Sequence, residues 1–189
     1  MSSSNNSSNN NNNFLVREAV PDDWQAIADL HLQSWRSAYR EILTDEYLEG
    51  EAADERARTW RERIGNGVPP CRGTFVAERE GQLVGFVNVE LQAEYAEKWG
   101  PRVENLHSHP DRKGQGIGRR LLMRGAQWVE EKLPGSAIHL YVFEKNAAAR
   151  AFYRHMGAAE VERIMVHMPD GRNLPEYICC WASARRLGG

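Results

Sequence analysis

Glycines stand at alternate positions, Gly114, Gly116 and Gly118, between a strand-like run, Val103 to His109, and an amphipathic run that begins at Ile117. Pro110-Asp111 opens a turn just ahead of them. Glycine lets a backbone turn tightly and lets a ligand come close. The helix expected after this loop turns its unpaired first-turn N–H groups, and the positive end of its dipole, toward it. That is an anion site made of backbone, suited to a phosphate or pyrophosphate. A dinucleotide fingerprint would need G-x-G-x-x-G, and a P-loop would need Gly-Lys-Ser/Thr. Here Gly118 is followed by Arg119-Arg120, so neither nucleotide motif fits.

A second cluster lies in Leu140 to Ala158. Asn146, Ala149 and Tyr153 are spaced i, i+3 and i+7, which places them on one helix face. Ala148, Ala151, Phe152 and His155 form an adjacent, mostly apolar face expected to pack on a sheet. The small residues at the helix start leave room for a bulky ligand. His107, His109, Glu104 and Asp111 raise the question of a metal, since alternate strand residues share a face. No second histidine pair lies nearby, so no metal is expected.

These residues need a scaffold, and the composition sets its limits. A chain of 189 residues with formal net charge −2 suggests one domain with no nucleic-acid footprint. No apolar run is long enough to span a bilayer, and the N-terminus lacks a signal-peptide core. Cys71, Cys179 and Cys180 give neither a disulfide framework nor metal spacing, so a reducing cytoplasm is the expected setting. Residues 1–13 form a Ser/Asn-rich low-complexity tail expected to be disordered, and residues 14–189 a single domain.

Within that domain, Phe14 to Ala19 reads as a strand. Pro21-Asp22-Asp23 opens a helix to about Arg40, with an aspartate as N-cap, and a second helical stretch runs from about Thr44 to Ile64. Thr74 to Glu78 and Leu83 to Leu91 read as a hairpin turned at Glu80-Gly81. Arg102 to His109 is a strand, with a bulge expected between Leu106 and His109. Ile117 to Leu133 is a helix burying Ile117, Leu121, Leu122, Ala126 and Val129. Ala137 to Phe143 is a strand, Ala147 to His155 a short helix, and Val161 to Met168 with Tyr177 to Ala182 a closing antiparallel pair.

The run Lys113-Gly114-Gln115-Gly116-Ile117-Gly118 resembles motif A of the GNAT superfamily of acyl-CoA-dependent N-acetyltransferases, with Lys113 in place of the usual Gln or Arg. Leu140 to Ala158 resembles that family's motif B, and the order of elements is also the family's. The resemblance implies an α/β fold with a mixed, mostly antiparallel sheet flanked by helices, whose parallel fourth and fifth strands splay apart. It implies acetyl transfer from acetyl-CoA to a primary amine of a small molecule or peptide, by direct attack in a ternary complex. The loop Lys113, Gly114, Gln115, Gly116, Ile117, Gly118 and Arg119 would grip pyrophosphate, with Asn146, Ala149 and Tyr153 beside the cofactor. Backbone donors around Leu106, His107 and Ser108 would face the thioester oxygen.

In the same reading Tyr153 is the general acid for the departing thiolate, and Glu104 is the first choice of base, with Glu90 and His107 as alternatives. An alkyl ammonium, with pKa about 10.4, must lose a proton before it attacks. Trp35, Tyr39, residues 40–48 and residues 170–176 would wall the amine pocket, and Asp45, Glu46 and Glu176 would suit a cationic amine. A homodimer is left open. Two other classes differ in what they bind: a degenerate acyl-CoA sensor would bind the cofactor without releasing thiol, and a nucleotide module would prefer ATP.

Overall fold

The computed structural model describes residues 13–187. The Ser/Asn-rich segment 2–12 lies outside the described residues. Among the described residues seven strands form one sheet, in the order β1-β2-β3-β4-β5-β7-β6. They are β1 (Leu15–Glu18), β2 (Arg72–Arg79), β3 (Gln82–Glu90), β4 (Arg102–Ser108), β5 (Ile138–Phe143), β6 (Ala159–His167) and β7 (Asn173–Trp181). Every neighbouring pair is antiparallel except β4 and β5. That parallel pair is bridged by the helix α5 (Ile117–Lys132), as a crossover requires. Its pairing is short: Arg102 faces His139, Val103 faces Leu140, and beyond that register the strands part.

Helices cover both faces. One is packed by α5 and by α6 (Ala147–His155), around Phe75, Val87, Leu121, Leu122, Val129, Leu140 and Cys179. The five α5 residues expected to be buried are buried. Gly85 allows this helix to dock closely on β3: a Cβ there would lie 2.7 Å from Ile117 Cγ2 and 2.8 Å from Leu121 Cδ1. The opposite face is packed by α1 (Trp24–Ala38) and α3 (Ala52–Ile64), around Ile27, Leu30, Trp60, Val76 and Phe86. A third cluster joins Leu43, Tyr47 and Leu48 to Phe143 and Met168 at the far end of the sheet.

Several expectations change. The stretch 44–64 is two helices, α2 (Asp45–Glu49) and α3, broken at Gly50, where a Cβ would meet Glu46 O at 2.8 Å. Thr44 caps α2 by accepting from Tyr47 N. Asp23 precedes α1 but does not cap it with its side chain. Its carboxylate instead accepts from Val20 N and from both terminal nitrogens of Arg17. A short helix, α4 (Ala96–Trp99), was not anticipated. The bulge in β4 falls at Glu104, where the register with β3 shifts between Asn88 and Val89, several residues earlier than expected. Among the described residues no helix is long and apolar enough to cross a membrane.

Candidate active site

The glycine loop is built as its residue types require. Gly114 and Gly116 both have φ of +77°, a conformation that L side chains rarely adopt. Gly116 sits at the N-cap of α5, and a Cβ at either glycine would meet nothing within 4 Å, so the loop's outer face is open. Behind it, α5 brings its first-turn amides and the positive end of its dipole. Gln115 accepts from Arg79 Nη1 at 3.4 Å. A Cβ on Gly118 would lie 3.7 Å from Phe152 Cζ, so the second half of α6 comes up to the start of α5.

The second set of donors comes from β4. His109 N donates to Val84 O, at the end of the ladder in which His107 faces Phe86. Because N–H groups alternate along a strand, those of Leu106 and Ser108 then point the other way, to the side where β5 has parted. Two amides therefore face a gap in the sheet.

On α6, Asn146 is the N-cap: its Oδ1 accepts from Ala149 N at 3.1 Å. Tyr153 is buried between Phe152 and Trp181, with ring centroids 5.3 and 6.2 Å away. Its hydroxyl makes no hydrogen bond to the described residues, and burial pushes its pKa up, with a further push from Tyr39. The buried stripe of α6 is Ala149, Phe152, Tyr153 and Met156. Ala148, Ala151 and His155, expected against the sheet, are exposed.

The candidate bases differ sharply in environment. Glu104, with a side chain 11% exposed, is held by Arg72 Nη1 and Arg102 Nη2, each at 2.7 Å, and by Arg63 Nη2 at 3.0 Å. Burial raises the pKa of this carboxyl, but the three guanidiniums outweigh it and hold the group below the usual carboxylate range. Glu90 is paired with Arg72 at 2.8 Å. His107 packs on Phe86 and His31, with Nδ1 2.9 Å from Ser34 Oγ. Burial lowers its pKa to about 3, so the ring is neutral at neutral pH and a poor proton acceptor. Sequence reasoning missed the arginine clamp, whose members come from α3, β2 and β4 and converge only once the strands are in register.

The expected amine wall assembles in part. Leu43, Tyr47, Trp35, Tyr39 and Leu174 share the third apolar cluster. Thr44 N donates to Asp170, and Arg172 donates to Ile42 O, tying residues 42–44 to the β6–β7 turn. Asp45 is exposed beside Arg40, and Glu46 is exposed. The Trp35 ring already carries Arg56, 4.5 Å from its centroid. Glu176 alone of the three acids is buried. His107, His109, Glu104 and Asp111 do not converge, and among the described residues no three His, Cys, Asp or Glu gather as a metal would need.

A model of the acetyltransferase (GNAT) family matches residues 24–158. The chain is 31% identical over 132 residues to an uncharacterized N-acetyltransferase, YuaI, of Bacillus subtilis, covering 69% of this chain and 72% of that one. It is 22% identical over 147 residues to a spermidine N(1)-acetyltransferase of Thermoplasma acidophilum, covering 75% and 86%. The fold also matches a crystal structure of an N-acetyltransferase from Thermoplasma acidophilum in complex with coenzyme A. The TM-score is 0.65 at 18% identity, covering 89% of this chain and 98% of that one.

Proposed function

This chain belongs to the acetyltransferase (GNAT) family and is an acyltransferase, and we propose that it moves the acetyl group of acetyl-CoA directly to a primary amine of a small molecule or peptide. One observation carries this reading: two backbone donor sets follow one another in the chain from the end of β4, where β5 has parted from it, to the start of α5. The open loop at Gly114 and Gly116 and the start of α5 suit the pyrophosphate of the cofactor. The amides of Leu106 and Ser108 suit the thioester oxygen, which gathers negative charge as the amine attacks. In this reading Lys113, Gln115, Ile117, Gly118 and Arg119 complete the loop, and Asn146 and Ala149 line the cofactor from the start of α6.

Tyr153 supplies a proton to the departing thiolate. A buried hydroxyl with a raised pKa stays protonated at neutral pH, as an acid must be before it acts. Direct attack is preferred to a covalent relay because the two thiols on β7 are poor nucleophiles and the third, Cys71, lies beside Leu91, at the opposite end of β4 from Leu106 and Ser108. Cys179 and Cys180 are buried, and burial raises the pKa of both, that of Cys179 to about 12. The amine is expected to be small and cationic, in keeping with the buried carboxylate of Glu176 among aromatic rings. Glu104, fixed by three guanidiniums, is better suited to anchoring β4 than to exchanging protons.

The test has two arms. A thermal-shift series with CoA, acetyl-CoA, ATP and NAD reads ligand class, and a thiol-release assay over spermidine, other amines and peptide N-termini reads transfer. Stabilisation by CoA with no thiol release from any amine would convert the reading to an acyl-CoA sensor. Stabilisation by ATP alone would overturn it.

A further inference from the structure

We infer that Glu176 takes the proton from the incoming ammonium, a role that rests on the acetyl-transfer reading above. Glu176 lies on β7, with Phe143 of β5 and Ile164 of β6 as its register partners. It is 7% exposed, yet its carboxylate makes no hydrogen bond or ion pair with the described residues. In a residue this buried a carboxylate with no protein partner is costly to keep charged, and its oxygens, which are not sealed from solvent, are left ready for something that arrives. An ammonium supplies both the charge and the hydrogen bonds.

The position fits. Val103 faces Leu140 where β4 and β5 last pair, and Phe143 is three residues further along β5. With the Glu104 bulge taken up on β4, Phe143 stands level with Leu106 and His107, where the strand amides turn into the gap. Glu176 is one strand spacing beyond it, about 4.8 Å. Tyr39, at the end of α1, packs its ring edge-on to Phe143 at 5.0 Å; the Glu176 charge pushes its pKa up, and Tyr39 in turn pushes up that of Tyr153. Glu176, level with Phe143, and Tyr153, which packs with Val142 and Trp181 from the other face of the sheet, are thus linked through Tyr39. In this role the proton acceptor stands on the amine side and the proton donor on the thiol side.

The groups facing Glu176 are few. Arg102 from β4 is the cation, Tyr39 from α1 is a neutral phenol, and the partners on β5 and β6 are apolar. Burial pushes the carboxyl up and Arg102 pulls it down, and burial prevails, leaving it at about 7. A base poised there is ionised often enough to accept a proton near neutral pH and strong enough to hold it.

The step balances as follows. One N–H bond of the ammonium breaks and its proton passes to Glu176, which returns it to solvent. The free amine forms the C–N bond, the C–S bond breaks, and nitrogen loses a second proton while the thiolate gains one through Tyr153. The net products are amide, thiol and one proton.

The test uses the full chain and the most active amine of the panel, beginning with spermidine. Glu176→Gln keeps shape and burial. It should lower kcat about 100-fold or more at pH 7. The acid limb near pH 7 should vanish, with acetyl-CoA affinity changed less than about threefold and the KM for amine raised by less than kcat falls, since the ammonium also loses its charge partner. Glu176→Asp should recover part of the rate. A rise in KM with kcat intact would make Glu176 a cation anchor instead and overturn the assignment, as would a parental pH profile. A second measurement needs no acceptor: carboxyl-carbon NMR of the CoA-bound parent should show Glu176 titrating near 7, and a midpoint below about 5 would overturn the role. Failure of every amine in the panel bears on acetyl transfer itself, and the NMR midpoint then still decides whether this carboxylate can act as a base near neutral pH.

Discussion

Replacing Glu104 by glutamine measures what the arginine clamp does. The carboxylate meets three guanidiniums at 2.7 to 3.0 Å from α3, β2 and β4, so it fastens a helix and two strands together at the bulge. Removing one partner of a buried ionic cluster costs about 3–5 kcal/mol, because the remaining charges keep their desolvation cost and lose their compensation. Glutamine keeps one acceptor oxygen, and Arg72 keeps Glu90 at 2.8 Å. We therefore expect the lower end, about 3 kcal/mol. For a domain of this size each kcal/mol moves Tm by about 2–4 °C, so Glu104→Gln should melt about 6–12 °C below the parent. The pH dependence has a definite sign. A carboxyl held below its unfolded pKa stabilises the fold above the usual carboxylate range and loses that contribution as pH falls through its folded value. The gap between parent and variant should accordingly be full at pH 7 and close on acidification. Calorimetric melts from pH 3 to 8 read this directly. A double-mutant cycle with Arg72→Met should give a coupling of about 1–3 kcal/mol. A Tm within 2 °C of the parent at pH 7 would refute the clamp.

Three further outcomes follow from the same geometry. Gly116→Asp puts a side chain at φ +77° and a negative charge before the helix start, so acetyl-CoA affinity measured by calorimetry should fall at least about 100-fold while the fold survives; unchanged affinity would remove the loop from the site. Tyr153→Phe should lower the single-turnover rate about 100-fold with acetyl-CoA affinity little changed, and a parental rate would leave Tyr153 a packing residue. His107 is neutral in the fold, with its pKa lowered to about 3, so it favours folding above its unfolded pKa of about 6.5 and loses that contribution as pH falls. His107→Leu should flatten the loss of stability between about pH 6.5 and 3, and an acid limb in the melts as steep as the parent's would show that this ring does not set it.

What the sequence disclosed and what it hid divide by range. The loop was legible because its demands are local: Gly114 and Gly116 need positive φ, and Asn146 is a capping residue three positions before the amide it caps. The face of α6 was read one residue out of phase. Ala148, Ala151, Phe152, His155 and Ala149, Phe152, Tyr153, Met156 have the same spacing, and only the bulk of Tyr153 and Met156 against the sheet chooses between them. The break at Gly50 was passed over because a single glycine stands among strong helix formers from Thr44 to Ile64, and the sequence does not show that its backbone turns there so close to Glu46 O that only glycine fits. The bulge at Glu104 belongs to a pairing register and leaves no mark in the strand that carries it. The different fates of Glu104, Glu90 and Glu176 were likewise invisible, since each depends on partners brought from other strands and helices.

Arg102 connects two of those fates. Its Nη2 holds Glu104 at 2.7 Å, and its charge is also the force that draws the Glu176 carboxyl down against burial. Two acids in one region with pKa values driven apart are a common way to divide labour between a fixed anion and a proton carrier. The shared arginine makes that division testable without touching Glu176. In Glu104→Gln, Arg102 loses its closest anion, its field at Glu176 is less neutralised, and the acid limb of turnover should survive but move to lower pH. If Glu104 were itself the proton acceptor, the same substitution would abolish the limb rather than displace it. A pH–rate profile of this variant, taken well below its melting temperature and with chemistry limiting, therefore separates the two carboxylates by the direction of a shift against the loss of a limb. A limb that disappears would assign the proton to Glu104 and leave Glu176 a buried charge without a task.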